Sequence, residues 1–495
     1  MRRQTACPRT WPSFAATVPR HDGHEMTLPD TPQHRPAYHF TPQAHWMNDP
    51  NGLVFYEGVY HLFFQYHPHS SVWGPMHWGH ATSRDLVHWQ EHALALAPDE
   101  LGMIFSGSVV FDAHNTSGLA PQGQAPLVAI FTHSQPSTEA LGSPHQHQSL
   151  AWSLDAGATW QKYQGNPVLQ SPGLKDFRDP KVFWHATTAR WVMSVACGDH
   201  IAFYASEDLK NWSLLSRFGQ ALGAHGGVWE CPDLVALTLH GRERWVLLVS
   251  VTSGGPQGGS ATQYFVGDFD GRTFTAEHAD VRWLDWGPDN YAGVTWSNTP
   301  GRCLFIGWMS NWLYAAKLPT APWRGAMTLP RELQLREVDG HAWLCTPVAA
   351  EIETAFQTSS VAQSQTPADL SQALANSQGR CRLTLSADAA TPWAFVLSNA
   401  HGDRWCLRYN PETRQFGVDR TMAGQADFYP AFAACHLAPR LACSSVIRLQ
   451  IYLDACLMET IADDGLIAIT SLSFPSPTWT CIDREGSVDV SLQTL

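Results

Sequence analysis

His45-Trp46-Met47-Asn48-Asp49-Pro50-Asn51-Gly52, followed at once by Leu53-Val54-Phe55-Tyr56, is the stretch from which this chain can be read. Pro50 removes a backbone donor and keeps Asp49 out of the helical region. Asn51-Gly52 reads as a tight turn. The apolar run after it reads as a strand. A carboxylate held by stiff neighbours at the entrance to a strand suits chemistry that needs accurate placement. A plain hairpin turn would account for the same residues, so these twelve positions alone do not decide between the two.

From about Tyr38 to Leu335, short apolar runs alternate with Gly, Asp, Asn and Pro, and long 3.6-period segments are absent. That pattern predicts many short strands. A weak repeat runs through it. Ser83-Arg84-Asp85-Leu86-Val87-His88-Trp89 resembles Ser206-Glu207-Asp208-Leu209-Lys210-Asn211-Trp212. Looser copies are Ser153 to Trp160, around Asp155, and Gly267 to Phe274, around Asp270. In each, an acidic turn precedes an aromatic anchor. Sheets repeated around an axis make a β-propeller, and at roughly 60 residues per blade the region holds about five. A β-sandwich would also supply short strands but not the recurring turn.

Past this region the composition changes. Glu351 to Phe356 could form a short helix, and the Gln- and Ser-rich stretch from Gln357 to Gln378 reads as linker or surface loop. Period-two alternation then returns in Cys381–Leu385, Trp405–Tyr409 and Val446–Leu453, as in a small β-sandwich. The expected organisation is all-β: a flexible arm over 1–35, a five-bladed propeller over 36–340, a linker over 341–359 and a sandwich over 360–495.

Two more carboxylates change the weight of the first. Asp179, in Phe177-Arg178-Asp179-Pro180-Lys181-Val182-Phe183, repeats the Asp-Pro-then-strand order, with a guanidinium beside it that can hold a carboxylate or a sugar hydroxyl. Glu230 lies in Gly227-Val228-Trp229-Glu230-Cys231-Pro232. Its apolar, polarisable neighbours Trp229 and Cys231 suit a carboxyl that must carry a proton. Two carboxyls astride a glycosidic bond are enough to cleave it. A propeller brings positions far apart in sequence to one channel mouth.

The bulk numbers narrow the field. A chain of 495 residues favours more than one domain. Charged residues are 15% against roughly 25% in ordinary soluble domains, and there are 22 tryptophans. Few charges and many aromatics fit β-rich cores and aromatic-lined sugar sites. A net charge of −13 argues against nucleic acid and anionic membrane surfaces as partners. No run reaches 18 apolar residues, so no membrane-spanning helix is expected. Prolines at 8, 12 and 19 break the N-terminal run, which makes it a poor signal peptide. Eleven cysteines without a C-x-x-C pair argue against a disulfide framework, and together these features predict a cytoplasmic protein. His145-Gln146-His147 is the most metal-like histidine group and reads as a surface loop.

Trp46 to Gly52, Phe105-Ser106-Gly107-Ser108, Phe177 to Pro180 and Trp229 to Pro232 occur in the order found in glycoside hydrolase family 32, and over about residues 38–355 the chain resembles its invertases, levanases and exo-inulinases. The segments Gly254 to Ser260, Trp308 to Trp312 and Pro322 to Gly325 are most similar to the exo-acting members. The resemblance implies Asp49 as nucleophile, Glu230 as acid and base, and Asp179 as stabiliser of the oxocarbenium-like transition state. It implies Asn48, Gln65, Trp73, Phe105, Ser106 and Arg178 around the terminal fructose, and Trp312 near the leaving group. It implies no metal or organic cofactor. The expected partner is a fructoside: sucrose, a fructo-oligosaccharide, or levan or inulin. A transfructosylase would share every one of these residues, and a fructan-binding propeller without catalysis would share the fold.

Overall fold

The computed structural model describes residues 34–135, 145–357, 361–362 and 366–495. Nearly all of the arm expected over 1–35 lies outside these residues. Arg35 does not: its guanidinium sits 5.1 Å above the Trp323 ring and donates to the carbonyls of Pro42 and Gln43.

Five blades surround one axis. Blade 1 runs His45–Tyr56, Val59–His67, His77–Ser83 and Gln90–Glu91. Blade 2 runs Met103–Phe111, Leu127–Gln135, His145–Ser153 and Gln161–Lys162. Blade 3 runs Arg178–His185, Arg190–Ala196, Ile201–Ser206 and Ser213–Phe218. Blade 4 runs Trp229–Leu239, Arg242–Val251, Ala261–Phe269 and Phe274–Ala276, and blade 5 is built on Tyr291–Thr295, Leu304–Trp308 and Arg331–Glu332. The four acidic turns all lie between the third and fourth strands of their blades. Asp85 accepts the backbone N–H groups of Val87 and His88, and Asp208 those of Lys210 and Asn211. Asp270 does the same for Arg272 and Thr273, and Asp155 for Thr159. Each carboxylate thereby satisfies donors that the turn would leave exposed, which is why the motif recurs.

The last blade closes on the first. Trp323–Arg324 pairs parallel to His45–Trp46, Val54 bridges Ser297, and Gly325 lies against Met47. A Cβ on Gly325 would fall 2.1 Å from the Met47 carbonyl oxygen, so the closure admits no side chain there.

The stretch 341–359, expected as a linker, carries a strand, His341–Cys345, hairpinned with Gln334–Val338, and the short helix expected at Glu351–Phe356 is there as Ala350–Gln357. The loop expected up to Gln378 contains a second helix, Pro367–Asn376. Thr366 caps it through Asp369 N–H, and Leu370 and Leu374 are buried in the sandwich core. Capping and an i, i+4 apolar pair outweigh the polar composition there. The sandwich packs a sheet centred on Arg380–Asp388 and Val446–Asp454 against one centred on Arg404–Asn410 and Trp393–Ser398. All ten described cysteines are free thiols.

Buried charges tie the propeller to the sandwich. Arg331 donates through Nη1 to Asp285 at 2.9 Å, through Nε to Glu459 at 3.0 Å and through Nη2 to Thr470 at 2.6 Å. His39 lies between Asp454 at 2.9 Å and Glu459 at 3.1 Å. Burial opposes its charge, but the two carboxylates prevail and push the imidazole up to about 9. On the far side, Arg420 from the sandwich reaches Asp289 at 2.7 Å. Removing one partner from such a network strands the others in a dry interior. Arg331→Ala is therefore expected to cost about 3–5 kcal/mol in chemical denaturation. A loss under about 1 kcal/mol would show that the interface does not depend on this cation.

Candidate active site

A cavity of about 300 Å³ opens at the end of the propeller where the innermost strands begin. Asn48, Asp49, Gln65, Trp73, Phe105, Ser106, Arg178, Asp179, Glu230 and Trp312 all line it, and Gln146 joins them. Each of the first four blades sends at least one polar group from its innermost strand, and blade 5 sends Tyr291 onto Glu230.

Asp49 is held on both oxygens. Asn48 Nδ2 donates to Oδ1 at 2.8 Å and Ser106 Oγ donates to Oδ2 at 2.7 Å. Trp46 Nε1 donates to the Asn48 side-chain carbonyl oxygen at 2.7 Å, which fixes the amide so that its N–H faces Asp49. Burial, then the nearby charge of Glu230, push the Asp49 carboxyl up to about 6 against these hydrogen bonds.

Asp179 takes a backbone φ of 62°, which few residues other than glycine adopt. Its N–H is satisfied by Thr132 Oγ1 at 3.1 Å, and Thr132 in turn donates to Gln148 at 2.7 Å. Oδ2 accepts the Cys231 backbone N–H at 3.0 Å. Burial and Glu230 push this carboxyl up to about 7, although Arg178 pulls the other way.

Both oxygens of Glu230 are engaged. Oε1 accepts Nε and Nη2 of Arg178 at 3.0 and 2.8 Å, and Oε2 accepts the hydroxyl of the buried Tyr291. Its sequence neighbours do not surround it as expected. Trp229 turns into the blade core and donates from Nε1 to the Ala224 carbonyl at 2.8 Å. Cys231 aims its Sγ at the two aspartates, 3.7 Å from Asp49 Oδ2 and 3.6 Å from Asp179 Oδ2. Trp229 faces away from Glu230 as strand alternation requires, whereas the bulge after Glu230, with a φ of 46° at Cys231, turns that thiol toward the aspartates.

The walls are of two kinds. Trp312 stacks on Trp46 at 6.0 Å and meets Trp308 at 4.9 Å, so one wall is a rigid indole cluster. Trp73, 44% exposed, meets Phe105 edge-on at 6.2 Å on another. Between them Gln65 is buried with no partner for its Nε2, a donor that a sugar hydroxyl could satisfy.

Sequence reasoning missed Gln146 and Tyr291. The expected surface loop at His145-Gln146-His147 is the start of a blade-2 strand, His145–Ser153, paired along its length with Leu127–Gln135. Gln146 is its inward residue, and its Oε1 accepts Phe177 N–H at 2.8 Å and Arg178 Nη1 at 3.3 Å. The strand's alternation of His and Gln was the available signal. Tyr291, within Asn290-Tyr291-Ala292-Gly293, had none beyond its place before a glycine. Among the described residues no cluster of three or more His, Cys, Asp or Glu could hold a metal ion.

Residues 39–347 match the glycosyl hydrolases family 32 N-terminal domain, and residues 350–493 match the family 32 C-terminal domain. The levanase of Bacillus subtilis (strain 168) is 46% identical over 458 residues, which are 89% of this chain and 66% of that protein. An extracellular exo-inulinase of Aspergillus niger is 40% identical, over 90% of each chain. The chain thus spans about two thirds of the levanase and nine tenths of the exo-inulinase. Among solved structures, the exo-inulinase of Aspergillus awamori superposes with a TM-score of 0.84 at 36% identity, covering 94% of this chain and 98% of that one. The β-fructofuranosidase of Schwanniomyces occidentalis, solved with fructosyl-erythritol, gives 0.81 at 30% identity over the same shares. On fold, site and sequence together, the chain belongs to glycosyl hydrolase family 32.

Proposed function

We propose that this protein releases terminal β-D-fructofuranosyl residues from sucrose, fructo-oligosaccharides and fructans of the levan or inulin type, with retention of configuration. One observation carries the reading: Asp49 and Glu230 open into a single cavity, each with its carboxyl oriented by partners from other blades. Asp49 attacks the anomeric carbon and forms a fructosyl-enzyme. Glu230 first protonates the leaving oxygen and then, as carboxylate, takes a proton from the incoming water. Arg178 and Tyr291 hold Glu230 through both steps. Asp179 binds fructose hydroxyls and strengthens its hold as positive charge develops on the ring. Names of similar proteins, levanase and exo-inulinase, support a fructan substrate and removal from the chain end. Several relatives are named as extracellular, which speaks against the cytoplasmic placement expected from the N-terminus, so we place the reaction outside the cell.

The two acids should fail differently. Asp49→Ala is expected to abolish turnover of every fructoside. Glu230→Ala should impair poor leaving groups such as glucose most and a fluoride leaving group least, and azide should partly restore its deglycosylation, because an anion needs no general base. Near-wild-type activity in Asp49→Ala, or inversion in the first-formed fructose by NMR, would sink the assignment.

Attack requires the Asp49 carboxylate to be ionised. With its carboxyl raised to about 6 in the free protein, kcat/KM should fall as pH drops through that value. An acid limb centred near an ordinary aspartate value, about 4, would contradict this.

Digestion of levan or inulin should give free fructose as the earliest product by chromatography. Early oligosaccharides with little fructose would rule out attack from the chain end.

A further inference from the structure

Trp73 is a half-exposed wall of the cavity, and its one ring contact among the described residues is the edge-on meeting with Phe105. The backbone that carries it is the loop between the second and third strands of blade 1. That loop is short of regular structure but rich in histidine: His67 and His77 flank it and His69 lies inside it.

The His67 imidazole touches the chain on both sides of Trp73. Nδ1 lies 2.9 Å from the carbonyl oxygen of Val72. A carbonyl can only accept, so Nδ1 carries the proton. The ring also covers Gly74: a Cβ built there would lie 2.4 Å from His67 Cε1 and Nδ1. No side chain other than hydrogen fits without displacing the imidazole. His77 donates in the same way to the Pro75 carbonyl at 2.9 Å, and the His69 ring meets both others at 6.3 Å. Ser70 completes the anchorage by accepting Trp46 N–H at 2.9 Å, which ties the loop to the strand that carries Asp49.

We infer that His67 is a positioning residue that sets the Trp73 indole against the sugar, through the Val72 carbonyl on one side and Gly74 on the other. The inference rests on the reading of Trp73 as a substrate contact. His67 does not line the cavity, so its effect on the sugar is indirect.

The test is steady-state kinetics on sucrose with His67→Ala, His67→Asn, Trp73→Ala and the double variant His67→Ala/Trp73→Ala, with melting temperatures alongside. His67→Ala is expected to raise KM about fivefold with kcat within about twofold, since a binding wall is lost and the reacting groups are untouched. Asn places an amide N–H where Nδ1 stood, so His67→Asn should recover most of that KM. The double variant should match Trp73→Ala, because two residues that act through one contact are not additive. Gly74→Ala, which displaces the imidazole without removing it, should raise KM likewise and serves if His67→Ala does not fold. An additive double variant, a loss confined to kcat, or no recovery in His67→Asn would overturn the inference while leaving Trp73 as a contact. If Trp73→Ala itself leaves KM unchanged, the reading of Trp73 falls and this inference with it.

Discussion

Every innermost strand of the propeller breaks its ladder beside a residue of the site, and the site depends on those breaks. The register shifts between Met47 and Pro50 in blade 1 and between Ile104 and Gly107 in blade 2. It shifts opposite Asp179-Pro180 in blade 3, between Glu230 and Asp233 in blade 4, and between Tyr291 and Val294 in blade 5. A bulge adds a residue to one strand and turns its side chain out of the pleat. Regular strands would point these positions alternately into the packing between blades. Five bulges instead aim Asp49, Ser106, Asp179, Glu230 and Tyr291 toward one space. Positive φ values at Asp179, Cys231 and Ala292 are the local cost of that turn.

Charge sets the second constraint. Three carboxyls converge with one guanidinium, and Arg178 is already shared among Glu230, Asp176 and the Gln146 amide. Asp49 and Asp179 are left to neutral donors: an amide, a hydroxyl, a thiol and a backbone N–H. Such a site holds negative charge at some expense while empty, and a cation-like sugar ring relieves it. The same arrangement would favour any bound group on which positive charge develops.

Much of this was legible because bulges leave a mark in sequence. Proline interrupts a strand where a ladder bond is missing and strand glycine often marks a bulge, and they stand at Pro50, Gly107, Pro180, Pro232 and Gly293. The aspartates beside Pro50 and Pro180 stand out on that basis. The acidic turns were legible because a carboxylate that caps two N–H groups has a fixed spacing. Tyr291 and Gln146 were not, because their importance lies in which neighbour they meet, and that neighbour is 61 residues away for Tyr291 and 32 for Gln146. The helix at Pro367–Asn376 was hidden by its polar surface, since only Leu370 and Leu374 pack inward. The ion network around Arg331 was invisible because each member looks like an ordinary surface charge until two domains meet.

The closure of the ring also fixes an order of events. Asp49 sits on a strand whose inner edge is completed by Trp323–Arg324, at the far end of the propeller sequence. While the chain emerges from the ribosome, the first blade is exposed along that edge, with its unpaired N–H and C=O groups open to any other strand. The Asp49 carboxylate is made early and set late. Between those moments the nascent protein is an open arc of blades, inert toward sugar and most vulnerable to the wrong partner.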